Sequence, residues 1–88
     1  MRYCQMLRKG IEKKGYSLTQ VSFRLAKKDI WLEKTILSKM QSGKYPPAKD
    51  ETNIVLAEIL DLDPVEFRVA AVKELLPESL INLIKTAG

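Results

Sequence analysis

Apolar residues along this chain recur at intervals of three and four, and no segment alternates apolar with polar positions as a half-buried strand does. The pattern predicts helices throughout. A first helix is expected over Arg2–Lys14, with Cys4, Leu7 and Ile11 inward and Arg8, Lys9, Glu12 and Lys13 outward. Gly10 weakens it by about 1 kcal/mol relative to alanine, and Gly15 ends it. Ser17 is the expected N-cap of a second helix, whose inner set is Leu18, Val21 and Leu25, with Ser22 a small residue where another helix can cross. That helix stops near Lys27–Lys28. The turn KKDIWL follows without a glycine, and its Trp31 is expected to pack into the core.

A third helix begins around Leu32–Lys34 and runs to Ser42, where Gly43 supplies a left-handed stop and Pro46 and Pro47 prevent resumption. Asp50 is the expected cap of a fourth helix, with Ile54, Ala57 and Leu60 as one stripe and Val55, Ile59 and Leu62 widening it. Asp63-Pro64-Val65-Glu66 reads as a helix start, with an N-cap acid, proline at the first position and an acid at the third. The fifth helix reaches about Leu76 and carries two stripes, Val65-Val69-Val72-Leu76 and Phe67-Ala71-Leu75, so it needs two surfaces to bury them. After Pro77, PESLINLIK is expected to form a short sixth helix with Leu80, Ile81, Leu83 and Ile84 apolar.

An all-α domain of 88 residues with 45% hydrophobic content is an ordinary globular prospect. No apolar run approaches the length needed to span a bilayer. The N-terminal MRYCQMLRKGIEKKG lacks the apolar core of a signal peptide, so a cytoplasmic protein is expected. The single Cys4 cannot form an internal disulfide and is expected to act as a small buried hydrophobe. With no histidine, a Cys–His catalytic pair and a conventional zinc site are excluded. There are no acids clustered at metal spacing, no phosphate loop, and no nucleophile with an evident base, so neither enzymatic activity nor a cofactor is expected.

Charge changes the picture. Residues 1–49 hold twelve lysines and arginines against three acids, whereas residues 50–88 hold three basic residues against eight acids. The halves thus carry +9 and −5 within a total of +4. Such a division points to a basic face for a polyanion and a second half with another task.

The stretch ILSKMQSGKYPP, Ile36 to Pro47, lies in the basic half. Ile36, Leu37 and Met40 anchor one side of the third helix, which leaves Lys34, Thr35, Ser38 and Lys39 outward near its N-terminal half. Hydroxyls, amides and lysines bond base edges and phosphates. Two short helices joined by a turn, the second polar and basic, describe a helix-turn-helix.

In LEKTILSKMQSGKYPPAKDE, Leu32–Glu51, the chain resembles the Cro/C1-type (Xre) family of helix-turn-helix DNA-binding domains, with the lambda-repressor-like fold. The resemblance covers roughly residues 3–67, and ILDLDPVEF is similar to that family's closing junction. It implies a bundle of about five helices plus a short C-terminal helix. Residues 1–67 would form the DNA-binding domain, and residues 64–88 a helical extension that packs on it. Helices five and six hold more apolar residues than a core of this size easily absorbs, so the extension is expected either to join two chains or to fold helix six back over helix five within one chain. The resemblance also implies that Lys34, Thr35, Ser38 and Lys39 face bases or phosphates, that Ser17, Thr19, Gln20 and Lys44 lie near phosphate, and that Leu37 and Met40 are buried anchors.

Three features depart from the family pattern. Glu33 stands where a Ser or Thr cap is usual, the turn from Leu25-Ala26 to Leu32 is at least one residue longer, and both Val21-Ser22 and Leu25-Ala26 fit the hydrophobe-small pair. The expected function is a sequence-specific transcriptional regulator, a repressor of bacterial, phage or mobile-element type. Its partners are double-stranded DNA, a second copy joined through Val69, Val72, Leu76, Leu80 and Ile84, and a possible regulatory protein. The competing readings are an antitoxin or sequestering module that acts through the C-terminal helices, and an RNA-binding basic domain.

Overall fold

The computed structural model describes residues 1–76 together with Ser79, Leu80, Asn82 and Leu83. Among these residues the protein is wholly helical. Five helices follow in order: α1 (Tyr3–Lys14), α2 (Leu18–Ala26), α3 (Lys34–Gln41), α4 (Asp50–Leu60) and α5 (Pro64–Leu75). Ser79, Leu80, Asn82 and Leu83 are also helical, within the stretch where a sixth helix is expected, whereas Ile81 and Ile84 lie outside the described residues. No helix is long and apolar enough to cross a membrane among the described residues.

The expected punctuation holds at several ends. Gly15 closes α1 at φ 70° and accepts the left-handed turn that a Cβ would strain. Ser17 caps α2 reciprocally: its Oγ accepts from the Gln20 N–H at 3.1 Å, and Gln20 Oε1 accepts from the Ser17 N–H at 2.8 Å. Asp63 caps α5 by accepting from the Glu66 N–H at 3.0 Å, with Pro64 at the first helical position.

The fourth helix departs from expectation. Its N-cap is Lys49, and Asp50 is the first helical residue. The Asp50 carboxylate instead accepts two bonds from Arg68 on α5, at 2.8 and 2.9 Å, and Arg68 holds its pKa below the usual carboxylate range. The buried face of α4 is also rotated from the predicted stripe. Asn53, Leu56, Ala57 and Leu60 are buried, while Ile54 is 42% exposed.

The reason is a polar contact that a hydrophobic count cannot register. On α1 the innermost residue of the first turn is Tyr3, with Cys4 only half-buried. The Tyr3 hydroxyl donates to Asn53 Oδ1 at 2.6 Å, and Asn53 Nδ2 donates to the Ala48 carbonyl at 2.9 Å. The Ala48 N–H approaches the Tyr3 oxygen at 3.5 Å and closes the ring of contacts. A carbonyl can only accept, so the amide atom facing Ala48 must be the NH₂, and the Asn53 orientation follows from the network. The Tyr3 ring stacks on Phe67 with centroids 4.6 Å apart. One side chain thus joins α1, the loop before α4, α4 and α5.

The remaining core is Leu7, Ile11, Val21, Leu25, Leu37, Met40, Leu56, Ala57, Leu60, Ala70 and Ala71. Gly10 is buried for a packing reason. A Cβ there would stand 3.2 Å from Leu62 Cδ2 and 3.3 Å from Leu60 Cβ, so glycine lets α1 approach the end of α4. The two stripes expected on α5 are not buried as wholes. Phe67 and Ala71 are buried, whereas Val65, Val69, Val72 and Leu75 are exposed.

Tyr3→Phe is expected to lower stability by about 1–3 kcal/mol in urea denaturation at neutral pH, because Asn53 Oδ1 loses its buried donor. Burial also pushes the Tyr3 phenol up to about 12, above its ordinary 10.0. A group whose pKa is raised on folding contributes its full stability below the unfolded pKa and loses it as pH rises through the folded one. The wild-type chain is therefore expected to lose stability between about pH 10 and 12, on the order of 2–3 kcal/mol for two pH units. That alkaline component should be missing from the variant.

Candidate nucleic-acid interface

The path from α2 to α3 begins with three backbone bonds that wind down α2. The Lys28 and Ile30 N–H groups donate to the Leu25 carbonyl at 2.9 and 3.0 Å, and the Asp29 N–H donates to Ala26 at 3.0 Å. Asp29 takes the left-handed conformation at φ 61°. Aspartate tolerates this region better than most residues, which explains how the turn reverses without glycine. Ser22 Oγ then donates to the Leu32 carbonyl at 2.7 Å. The small residue expected at a helix crossing is therefore a tether that fixes the chain just ahead of α3.

Glu33 is the N-cap of α3 and makes no side-chain cap bond. Its carboxylate lies 3.5 Å from the Thr35 hydroxyl, at the outer limit of a hydrogen bond. Leu37 and Met40 are buried and Ile36 is half-buried, so the anchored side of α3 faces α1 and α2. Lys34, Thr35, Ser38 and Lys39 are all exposed. Residues three and four apart share a helix face, so these four form one outward strip. Among the described residues, the side chains of Lys34, Ser38 and Lys39 make no hydrogen bond or ion pair.

The structure brings Thr19 on α2 to this strip. Thr19, Ser22, Glu33, Lys34 and Thr35 line one shallow cleft. Ser17 and Gln20 are exposed, but their polar atoms are engaged in the reciprocal cap of α2. Lys44 lies apart from the cleft. It follows the opposite end of α3, its N–H donates to the Lys39 carbonyl at 2.8 Å, and it lines a separate pocket with Arg2, Cys4 and Tyr45. The length of α3, about 12 Å for eight residues, separates it from Lys34.

Two exposed aromatics stand near this cleft. Trp31, expected in the core, is 83% exposed, and Phe23 is 62% exposed. Ser22 Oγ holds the Leu32 carbonyl, Leu32 is half-buried against the core, and Trp31 before it faces solvent. Phe23 was legible in the sequence, since it falls opposite Val21 and Leu25 on the helical wheel. Trp31 lies in a turn, where no periodicity assigns a face. Cations lie over aromatic rings nearby: Arg24 stands 4.3 Å from the Tyr16 centroid and Lys27 stands 4.8 Å from that of Phe23.

Comparison of the chain with protein-family models, with curated proteins and with solved structures found no match.

Ser17→Ala is expected to cost about 1 kcal/mol in thermal or urea denaturation through loss of the α2 cap. Ser17→Asp, which preserves a capping acceptor, should restore most of it. Equal stability for all three chains would show that the reciprocal bond contributes nothing.

Proposed function

We propose that this protein is a sequence-specific DNA-binding transcriptional regulator, a repressor, in which α2 and α3 act as a lambda-repressor-like helix-turn-helix. The observation that carries this reading is the division of α3 into a buried side and an exposed polar side, on which the Lys34, Ser38 and Lys39 side chains are uncommitted. Leu37 and Met40 hold the helix to the bundle, while Lys34, Thr35, Ser38 and Lys39 stand in solvent. A helix of this size suits the major groove of B-DNA, which is about 12 Å wide and admits one α-helix. The Thr35 and Ser38 hydroxyls suit base edges, and Lys34 and Lys39 suit guanine or phosphate. Thr19 on α2 lies beside Lys34 and Thr35 and suits the adjacent phosphate.

The charge division supports the same orientation. The strip belongs to the half with net charge +9, and the acids concentrate on α4 and α5, which phosphate repels. Repression requires only occupancy of a promoter, and the reading assigns the chain no further activity.

A second copy completes the reading. Val65, Val69 and Val72 form an exposed apolar edge along α5, and Leu80 is exposed beyond it. Leu76, expected with them, is half-buried, and Ile84 lies outside the described residues. Two-fold pairing through this edge would cover it and present two copies of α3 to paired half-sites.

Fluorescence anisotropy on duplexes selected from a random pool tests the DNA reading. Affinity should fall steeply with salt, with a logarithmic slope of about −0.9 per phosphate contacted. Alanine at a base-reading position of the strip should cost about 1–3 kcal/mol on the selected site and relax preference at one base pair. Alanine at a phosphate-binding position should weaken all duplexes alike. A flat salt response, or specific binding that survives alanine at all four positions, would overturn the assignment.

Sedimentation tests the pairing. The chain is expected to dimerise, and the double change Val69→Glu and Val72→Glu should yield monomers that bind a palindromic duplex more weakly.

A further inference from the structure

Residues 1–49 hold three acids, Glu12, Asp29 and Glu33, against twelve basic residues. Asp29 takes a left-handed turn that few other residues accept, and Glu12 stands on α1. Glu33 differs from both. It lines the cleft with Thr19, Ser22, Lys34 and Thr35, and it is the one acid among those lining residues. It also borders an apolar groove next to the cleft, where Phe23, Ala26, Trp31 and Leu32 supply no cation.

Among the described residues the fold gives this carboxylate no firm partner. Glu33 is exposed, and at the N-cap of α3 it makes no side-chain cap bond. Serine, threonine, aspartate and asparagine are the good caps, and glutamate is not among them. It forms no ion pair. Its one hydrogen-bond contact is the long approach of the Thr35 hydroxyl, 3.5 Å from Oε2, which places the carboxylate alongside the outward strip of α3.

On a surface that meets a polyanion, such a group either finds a donor or weakens binding. Phosphate offers it only repulsion. In the major groove, guanine N7 and O6 and thymine O4 are acceptors and repel it too, whereas cytosine N4 and adenine N6 are donors. Adenine sets its N7 acceptor beside that donor, against the second carboxylate oxygen, and cytosine presents the donor alone. A carboxylate on the strip therefore selects cytosine, by attraction to one base and repulsion from the others. Lys34 follows it in the chain and lines the same cleft, so a positive charge stands close by to offset the carboxylate.

We propose that Glu33 is a specificity-determining residue whose carboxylate accepts a hydrogen bond from the N4 amine of one cytosine, beside the base pair that Thr35 faces. This assignment rests on the DNA-binding reading of α3 given above.

Duplexes selected from a random pool, followed by fluorescence anisotropy on every single-pair change of the selected site, test it. The wild-type chain should require cytosine at one position and lose about tenfold or more in affinity when another base stands there. Glu33→Gln keeps the shape and replaces the carboxylate by an amide, which bonds adenine N6 and N7 together, so the preference at that position should move to adenine. Glu33→Ser supplies a capping hydroxyl. It should be at least as stable in thermal denaturation, yet accept any base there. Both variants should bind random-sequence duplex more tightly, since each removes a negative charge.

An unchanged preference in Glu33→Gln, with a uniform gain in affinity, would make the carboxylate a solvated charge and overturn the proposal. A selected site without a required cytosine would overturn it as well. Uniform loss on all duplexes, together with lower stability, would assign Glu33 to the electrostatics of its own helix and overturn it equally. In each of these cases the wild-type chain still binds a specific site. A wild-type chain that binds no duplex refutes the DNA-binding reading itself, and this assignment with it.

Discussion

The arrangement depends on the buried contact between the Tyr3 hydroxyl and Asn53. Burying two polar side chains is unfavourable unless their hydrogen bonds are met, and here they are met by each other and by the Ala48 backbone. Among the described residues, no buried side-chain nitrogen or oxygen lacks a partner. The contact has directional consequences that apolar burial lacks. It sets the rotation of α4, brings the chain at Ala48 against the start of α1, and lays the Tyr3 ring on Phe67 of α5. The pairs Arg2–Glu74 and Asp50–Arg68 lie at the same end of the molecule but remain in solvent, where such bonds add little.

With α1, α4 and α5 joined in this way, α3 packs on α1 and α2 through Leu37 and Met40, with Ile36 half-buried beside them. That attachment leaves the opposite side of a short helix in solvent. A core helix would have been apolar on a wider arc. The two devices that aim α3, the left-handed Asp29 and the tether from Ser22 to Leu32, both act on the connection instead of on the helix itself. Between them the connection carries Trp31, whose ring stands in solvent. The same local geometry therefore produces both the polar strip and the neighbouring apolar groove.

The two halves of the chain carry different chemistry on one framework. Basic side chains dominate α1 to α3, and acids dominate α4 and α5. The exposed valines of α5 lie on the acidic part, away in sequence from the polar strip of α3. Under the proposed function, pairing through the valines and DNA binding through the strip would therefore not compete for the same residues. The groove at Trp31 differs, since it borders the strip and shares residues with it.

Local rules written into the sequence determined the helices and several of their ends. Gly15, Ser17, Gly43, Asp63 and Pro64 act through the backbone of their own turns, so their effects were legible residue by residue. The outward strip of α3 was legible for a similar reason, because three-and-four spacing assigns faces within a helix. Tertiary structure decided the rest. Whether Tyr3 or Cys4 leads the core, whether α4 buries Asn53 or Ile54, and whether Asp50 caps its helix or binds Arg68 each depend on a partner 18 or more residues away. Trp31 belongs to the same class. Hydrophobicity states only that burial would be favourable, and in a turn no helical period assigns that ring a face, so its exposure was settled by how the α2–α3 connection runs over the bundle.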